Sequence, residues 1–166
     1  GVMIDSKVYT IKTNPVYKGK EKPLRDILVD EKNVEEEFYV NNKDLKKWKY
    51  LKNSKQEERE TKDGFKYNYS EGSMIFPDDL DKASRTIITG EGGSGPSRFK
   101  HVIAPPSNPK KLRRLTPIEL ERLNMFPDDH TKLENVSNTK RAFLMGNALV
   151  VGVIKKLGDS LYNFYE

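Results

Sequence analysis

The sequence predicts a mixed α+β fold, with a small, irregular, β-rich domain followed by helices. Short strand-like runs separated by glycine- and proline-bearing loops occupy the middle of the chain, which is typical of a β-rich domain. A segment at 113–127 has helix signals at both ends, and an apolar stripe of helical spacing follows at 147–165. We therefore divide the chain into a connector or edge at 1–37, the β-rich domain at 38–112 and a helical segment at 113–166.

The composition excludes several classes of site. Because none of the 166 residues is a cysteine, the chain has no disulfide, no cysteine–zinc site and no cysteine nucleophile. The two histidines, His101 and His130, have no metal-binding spacing with carboxylates. No apolar run approaches the ~18 residues of a membrane span, and the first residues lack a signal-peptide pattern. We expect a soluble, cytoplasmic protein that binds neither a metal nor a membrane.

The charge favours an anionic partner such as nucleic acid. The net charge is +5, with a pI of about 9.2. The segment 97–114 concentrates this charge, because it contains six basic residues and no acidic one: Arg98, Lys100, Lys110, Lys111, Arg113 and Arg114. A phosphate backbone rewards such a segment through counterion release. The alternative is a solvated, lysine-rich loop.

The first half of the chain has few regular elements. Residues 7–12 form a strand-like run, and residues 23–28 predict a brief helical turn. Residues 42–52 predict a short helix with Leu45 and Trp48 on one side and lysines around the rest. The hydrophobic fraction of only 35% also indicates that some apolar surface belongs against another piece of protein.

A polar loop and a strand are predicted next. Residues 55–62 are polar and predict a loop, and the Asp63–Gly64 pair signals a turn. Phe65, Tyr67 and Tyr69 then alternate strictly, which indicates a half-buried strand. Aromatic residues among lysines can serve nucleic acid, but the same mixture is typical of a small, thin core, which we favour.

A glycine-rich loop lies between two predicted strands, at 85–89 and 99–103. The first strand is almost entirely β-branched. The loop at 90–95 fits the spacing G-x-G-x-x-G, but Pro96 and a strand follow it where a dinucleotide site needs a helix. A bare backbone loop that can press against a ligand or a DNA groove is the better interpretation.

The helix at 113–127 is defined by its ends. Thr116 is a good N-cap, Pro117 falls at the first helical position, and Glu119 can complete a capping box. Leu115 and Leu120 stand where a hydrophobic staple needs them. The proline at position 127 ends the element.

After a polar connection, a long apolar helix is predicted over 147–165. Its stripe has spacings of four, three, four and three residues: Val150, Ile154, Leu157, Leu161 and Phe164. Gly152 and Gly158 interrupt this helix and indicate places where another backbone comes close. So apolar a helix needs a partner layer that the rest of the chain does not fully supply.

Three segments of the chain, in the right order, resemble the carboxyl-terminal third of the DNA (cytosine-5) methyltransferases. Residues 113–127, Arg-Arg-Leu-Thr-Pro-Ile-Glu-Leu-Glu-Arg-Leu-Asn-Met-Phe-Pro, are similar to the ninth block of the family. Residues 145–153 are similar to the tenth block, and residues 84–93 to a threonine-bearing stretch of the target recognition domain. Leu-Arg-Asp-Ile-Leu at 24–28 resembles the segment that follows the eighth block.

The resemblance implies a fold and residue roles. The domain at 38–112 would be the target recognition domain, residues 113–166 would pack on a catalytic domain, and the doubly wound catalytic sheet would lie outside the chain. Asn147 and Ala148 would touch S-adenosylmethionine, whose main site lies on the catalytic domain. In double-stranded DNA, Thr86 would contact the backbone near the flipped cytosine, and Gly92 and Gly93 would lie close to the bases. Arg98 or Lys100 would read a guanine. Arg85 would also contact the DNA. The basic segment up to Arg114 would contact phosphates.

The resemblance also implies a missing catalytic part. The family's nucleophile is the cysteine of a Pro-Cys block, and this chain has none. Glu-Asn-Val at 134–136 copies the family's base-binding triplet, but it follows the ninth block rather than preceding it and is rejected as catalytic. We expect a carboxyl-terminal part of a bacterial restriction–modification enzyme, inactive alone and active with its catalytic domain or subunit. The alternatives are a non-catalytic, sequence-specific DNA-binding regulator derived from such an enzyme, and a binder of RNA or of an anionic protein.

Overall fold

Three antiparallel strand pairs and four α-helices make up the part of the chain that the structure describes. This computed structural model describes residues 1–14, 16 and 18–165, with side chains up to residue 163. The strands are β1 (Val2–Ile4), β2 (Lys7–Tyr9), β3 (Lys55–Glu60), β4 (Lys66–Glu71), β5 (Val102–Ile103) and β6 (Arg113–Arg114). The helices are α1 (Leu45–Lys52), α2 (Pro117–Leu123), α3 (Asn138–Asn147) and α4 (Val151–Tyr165). Four 3-10 turns precede or lie between them, at Leu24–Ile27, Glu31–Asn33, Glu36–Phe38 and Asn42–Asp44.

The mixed α+β prediction is confirmed. The strands pair as β1 with β2, β3 with β4 and β5 with β6, and no pair extends into a larger sheet among the described residues. The predicted helical turn at 23–28 is present as the 3-10 turn at Leu24–Ile27, and the predicted helix at 42–52 is a 3-10 turn continued by α1.

Helix α2 begins where its sequence signals place it. The Thr116 hydroxyl accepts a hydrogen bond from the Glu119 backbone N–H, and the Glu119 carboxylate accepts one from the Thr116 backbone N–H. This reciprocal capping box satisfies two of the free donors of the first turn. Leu115 and Leu120 are both buried, as a hydrophobic staple requires.

The core lies where α2, α3, β5 and the 3-10 turn at Leu24–Ile27 meet. Its buried apolar side chains are Leu24, Ile27, Ile103, Leu115, Leu120, Ala142 and Met145. These residues come from the connector, the β-rich domain and the helical segment, so the three sequence regions share one core. Ile87, in the recognition-like segment 84–93, also packs against this core.

Two predictions in the β-rich domain are wrong. Residues 85–89 are irregular, because the backbone turns at Ile88, whose carbonyl accepts from Glu91 N–H, and the Arg85 side chain binds across to Asp78. Residues 55–62 were expected to be a loop, but β3 pairs with β4 over six residue pairs. The Asp63–Gly64 turn explains this hairpin, since Gly64 takes a φ of 80° that folds the two polar strands together.

The aromatic residues of the hairpin are more exposed than expected. Trp48 on α1 is buried, with 1% of its surface exposed, but Phe65 is 68% and Tyr67 40% exposed. Phe65 and Tyr67 stack on each other, and Arg59 lies over the Tyr69 ring. Of the four aromatic residues assigned to a core, Trp48 alone is fully buried.

The helical segment contains a helix that the sequence analysis missed. The region read as a polar connection holds α3, whose N-cap Ser137 accepts from the Lys140 backbone N–H. The helix predicted over 147–165 begins only at Val151, because Ala148 is extended with ψ 151°. Along α4, Val153, Leu157 and Leu161 are more than half exposed; the side chain of Phe164 lies outside the described residues.

Two strand predictions, one in the connector and one in the β-rich domain, were too long. Of residues 7–12, only Lys7–Tyr9 form a strand, which pairs with β1 in an exposed hairpin. Of residues 99–103, only Val102–Ile103 form a strand, which pairs with β6.

Candidate functional site

A chain of buried hydrogen bonds fixes the glycine-rich loop to β5. The Glu91 carboxylate accepts from the His101 backbone N–H at 3.0 Å and lies 2.9 Å from His101 Nδ1. His101 Nε2 in turn lies 3.0 Å from the Ser84 hydroxyl, which is also 2.9 Å from the Arg85 carbonyl oxygen. Glu91 and His101 are almost completely buried. This serine–histidine–glutamate arrangement was not predicted from the sequence, because its members are 7 and 10 residues apart in a region without regular structure.

Two lysines continue this network on the other side of the loop. Lys100 Nζ donates to the carbonyl oxygens of Gly93 and Gly95, at 2.6 and 2.8 Å. Lys52 Nζ, at the end of α1, donates to the Lys100 carbonyl oxygen at 2.5 Å. Burial lowers the pKa of both ammonium groups, that of Lys52 to about 8. The glycine loop is thus held by buried side chains, although it is rich in glycine.

Arg85 fastens the segment before the loop. Its guanidinium forms a bidentate pair with Asp78, at 2.7 and 3.1 Å, and donates to the carbonyl oxygens of Phe99 and Lys100. Asp78 also accepts from the Val102 backbone N–H at 2.8 Å, so one carboxylate joins the arginine to β5. Thr86, the next residue, is exposed.

Arg98 joins the β3–β4 hairpin to α1. It donates to the carbonyl oxygens of Leu51, Asn53 and Gly72, and forms an ion pair with Glu71 at 3.0 Å. All of these partners belong to the protein itself. Arg98 and Lys100 therefore lie in the same basic segment but serve different contacts.

The two arginines of β6 are buried in the scaffold. Arg113 forms a bidentate pair with Glu119, at 2.8 and 2.9 Å, and reaches Glu31 at 2.7 Å. Arg114 donates to the carbonyl oxygens of Gly92 and Glu37, at 3.0 and 2.6 Å. Arg113 has no exposed surface and Arg114 has 3%, so neither presents its charge to solvent.

Two glycines allow the loop segment to pack tightly on α3. A Cβ on Gly92 would lie 2.7 Å from Thr139 Cα and 2.9 Å from Ala142 Cβ. A Cβ on Gly146 would lie 2.4 Å from both the N and the Cα of Thr89. The recognition-like segment and the tenth-block segment are thus in direct backbone contact at both ends of α3.

A cavity of about 450 Å³ opens beside this contact. Its lining includes Arg85 and Thr86 from the recognition-like segment together with Gly146 and Ala148. Its volume lies within the range of small-molecule sites. Asn147 is exposed next to it at the end of α3, where its Nδ2 donates to the Phe143 carbonyl oxygen at 2.9 Å.

The predicted site residues therefore form three groups. Arg85, Thr86 and Ala148 share the cavity, with Asn147 beside it. Gly92, Gly93 and Lys100 form the glycine loop and its anchor, and Arg98 stands apart at the base of the hairpin. Their roles toward DNA and S-adenosylmethionine stay predictions.

The Lys52→Met substitution tests the buried lysine through pH. Because the folded-state pKa of Lys52 is lowered from 10.5 to about 8, the unfolded chain binds more protons at this position between these values. The free energy of unfolding of the wild type should therefore increase relative to that of the variant as pH rises through this window. Below the window, the wild type bears the full cost of burying the charged ammonium group. The Lys100 carbonyl oxygen keeps a donor in the variant, since Arg85 also reaches it at 3.2 Å. Urea denaturation from pH 7 to 10 measures the difference.

The exposed Lys49 of the same helix provides the control, as Lys49→Met removes a lysine without emptying a buried site. A stability difference between wild type and Lys52→Met that stays constant from pH 7 to 10 would contradict the prediction.

Among the described helices none is long and apolar enough to cross a membrane. The described residues contain no group of three or more histidine, aspartate or glutamate side chains placed to hold a metal ion.

Comparisons with known proteins point in one direction. Residues 4–163 match the family described as C-5 cytosine-specific DNA methylase. The chain is 40% identical over 161 residues to the type II methyltransferase M.Sau3AI of Staphylococcus aureus, a match that covers 97% of this chain. The chain spans 37% of the length of that relative. No solved structure matches the chain.

Proposed function

The chain belongs to the C-5 cytosine-specific DNA methylase family, and from this premise we propose that it is the DNA-recognition and closing portion of a restriction–modification methyltransferase. The full assembly would transfer a methyl group from S-adenosylmethionine to C5 of a cytosine within a specific duplex site. The observation that carries this proposal is the match to a type II methyltransferase, which covers nearly all of this chain but 37% of the relative.

The bond-forming chemistry is assigned to the rest of the protein. In this family a cysteine attacks the cytosine ring after the base has left the duplex. This chain contains no cysteine, and its buried serine–histidine–glutamate arrangement serves to hold the loop. We therefore propose that these 166 residues do not methylate DNA alone.

The recognition role is assigned to the domain at 38–112. Thr86 is exposed at the rim of the cavity, where it can reach the backbone beside an extruded cytosine. The glycine loop is held rigidly by Glu91 and Lys100, which supports its use as a fixed backbone surface against the bases. A rigid loop loses little conformational entropy when it binds.

Asn147 and Ala148 are assigned to the amino-acid end of S-adenosylmethionine, which supplies the methyl group. The position fits such a role in part: Asn147 is exposed, and its side-chain nitrogen is oriented by its bond to the Phe143 carbonyl oxygen. Ala148 places its small side chain at the cavity wall. Most of the cofactor would contact the catalytic domain.

The apolar face of α4 is assigned to the contact with the catalytic domain. Val153, Ile154, Leu157 and Leu161 are 44% to 61% exposed on this helix. An apolar surface of this kind on a described helix marks a protein contact, and we assign the catalytic domain or subunit as its partner.

A chimeric enzyme tests the proposal. This chain replaces the matching segment of M.Sau3AI, and duplex DNA treated with the chimera and S-adenosylmethionine is mapped by bisulfite sequencing. We expect methylated cytosines within one sequence, and no methylation by this chain alone or by the relative with that segment deleted. A folded chimera that neither binds duplex DNA nor methylates it would refute the proposal. A chain that binds one duplex sequence but supports no methylation in the chimera would favour the DNA-binding regulator instead.

A further inference from the structure

We propose that the exposed lysines of α1 and of the turn before it form the phosphate-binding surface that secures this domain on duplex DNA. We call Lys43, Lys46, Lys47 and Lys49 the α1 lysine surface. The inference rests on the proposed function and adds to it a binding surface that was not anticipated from the sequence, which placed the phosphate contacts in the basic segment up to Arg114.

Five of the six cations of that basic segment are already engaged within the protein, Lys111 by an ion pair with Glu36 at 2.9 Å, and Lys110 is exposed. Arg98, Arg113 and Arg114 donate to backbone carbonyls or carboxylates, and Lys100 donates to two carbonyls of the glycine loop. Arg113, Arg114 and Lys100 have 0%, 3% and 7% of their surface exposed. Moving such a group to a DNA phosphate would leave buried acceptors without a donor, which costs about 1–3 kcal/mol for each group.

The lysines of the α1 lysine surface, in contrast, are not engaged within the described part of the protein. All four lysines are exposed, and their ammonium groups have no ion pair or hydrogen bond among the described residues. Elsewhere on the described surface, lysines commonly lie against a carboxylate, as do Lys32, Lys66, Lys82, Lys111, Lys132 and Lys155. A group of unpaired cations with one aspartate, Asp44, between them is a surface that an anion can occupy without displacing a partner.

The surface is held rigidly by the opposite side of the same helix. Trp48 and Lys52, four residues apart, are each 1% exposed and point into the protein. Lys46, Lys47 and Lys49 are left on the outer side, together with Tyr50, which is 58% exposed. The helix therefore presents its lysines from a fixed frame, which reduces the entropy lost on binding.

Its position connects the surface to the recognition loop. Lys52 at the end of α1 binds the Lys100 carbonyl, and Lys100 Nζ binds the Gly93 carbonyl. Arg98 adds a second link through the Leu51 carbonyl at 2.9 Å. These links fix α1 relative to the glycine loop, so a duplex that contacts both would take its register from α1 and meet the loop with its bases.

The test is the salt dependence of duplex binding by the whole chain. Fluorescence anisotropy gives the Kd for a duplex bearing the methylated site, from 0.05 to 0.5 M salt, for wild type and for the triple variant Lys46→Gln, Lys47→Gln, Lys49→Gln. Each lost phosphate contact lowers the slope of log K against log salt by about 0.9. Three lost contacts should therefore weaken binding on the order of 100-fold at 0.1 M salt relative to wild type. The triple variant with arginine at the same positions should bind as wild type does.

A control with the same change in net charge separates a local surface from a general charge effect. It carries Lys32→Gln, Lys82→Gln and Lys132→Gln, three lysines that already have carboxylate partners, and it should keep both the slope and the affinity. Thermal melting verifies that each variant is folded.

The outcomes distinguish the two proposals. A wild-type chain that binds duplex DNA while the glutamine variant keeps its slope, or while the control loses as much, overturns the α1 lysine surface alone. Binding of duplex RNA as tightly as duplex DNA overturns the assigned partner. A wild-type chain with no affinity for any duplex overturns the proposed function and this inference with it.

Discussion

Replacement of Glu119 by glutamine is expected to lower the free energy of unfolding by about 3–5 kcal/mol, the range for breaking a buried ion pair. Glu119 is fully buried and is the bidentate partner of the fully buried Arg113. Its two oxygens also accept from the backbone N–H groups of Val29 and Thr116. Every neighbour of this carboxylate is thus a donor, so the NH₂ group of a glutamine must face a donor whichever way the amide is turned.

The loss is large because Glu119 joins three parts of the chain. Val29 lies in the connector, Arg113 in β6 and Thr116 at the start of α2. The remaining partner of the arginine, Glu31, is 19% exposed at its side chain and contacts Arg113 at 2.7 Å. It can compensate for only part of the lost charge.

A surface pair provides the matched control. Asp159→Asn also replaces a carboxylate by an amide and breaks the pair with Lys155 on α4, where both side chains are more than half exposed. Exposed helix pairs contribute about 0.3–0.5 kcal/mol. Denaturant unfolding of both variants measures the contrast, and a Glu119→Gln chain within 1 kcal/mol of wild type would show that the buried pair does not hold these segments together.

Helix α2 shows what could be predicted from sequence. Thr116, Pro117 and Glu119 act on each other within one turn, and their preferences do not depend on the rest of the fold. The same holds for the Asp63–Gly64 turn. Local chemistry of this kind is readable because its partners are neighbours in sequence.

Residues 85–89 show why other elements could not be predicted. Their β-branched composition favours a strand, but a strand needs a partner, and here Arg85 is bound to Asp78 and the backbone turns at Ile88. Helix α3 was missed for the related reason that its buried side includes Arg141, which pairs with Glu121 and Asp129. A buried ion pair conceals the apolar periodicity on which a sequence prediction depends.

The candidate site was predicted as a set of residues but not as a set of contacts. The glycine loop, Thr86 and Ala148 were identified from the resemblance, and the structure places Thr86 and Ala148 at one cavity. The partner of each cationic side chain could not be predicted, because its formal charge does not determine whether it is exposed to solvent or bonded to a carbonyl oxygen of the protein. Arg113 and Arg114 were expected at phosphates and are buried in the scaffold.

Gly146→Ala is expected to destabilise the protein by about 3 kcal/mol, at the upper end of the cost of overpacking. Its Cβ would lie 2.4 Å from the N and Cα of Thr89 and 2.6 Å from the Ile88 carbonyl carbon. These are backbone atoms, so no rotation of a side chain can relieve the clash. Helix α3 and the segment before the glycine loop must then separate, and Thr86 and Ala148 would move apart across their shared cavity.

Gly158→Ala is the control that separates the backbone clash at Gly146 from the effect of helix propensity. Gly158 also lies inside a helix, but a Cβ there meets nothing within 4 Å, so alanine should raise stability by up to about 1 kcal/mol through helix propensity alone. The same substitution in two helices is therefore expected to have opposite signs, which thermal and urea unfolding of the two variants will measure. If both alanines stabilise the chain, the close contact between α3 and Thr89 does not exist, and the cavity that depends on it loses its support. If the signs are opposite, the glycine of the tenth-block segment is required by a backbone contact, because helix propensity by itself disfavours glycine at both positions.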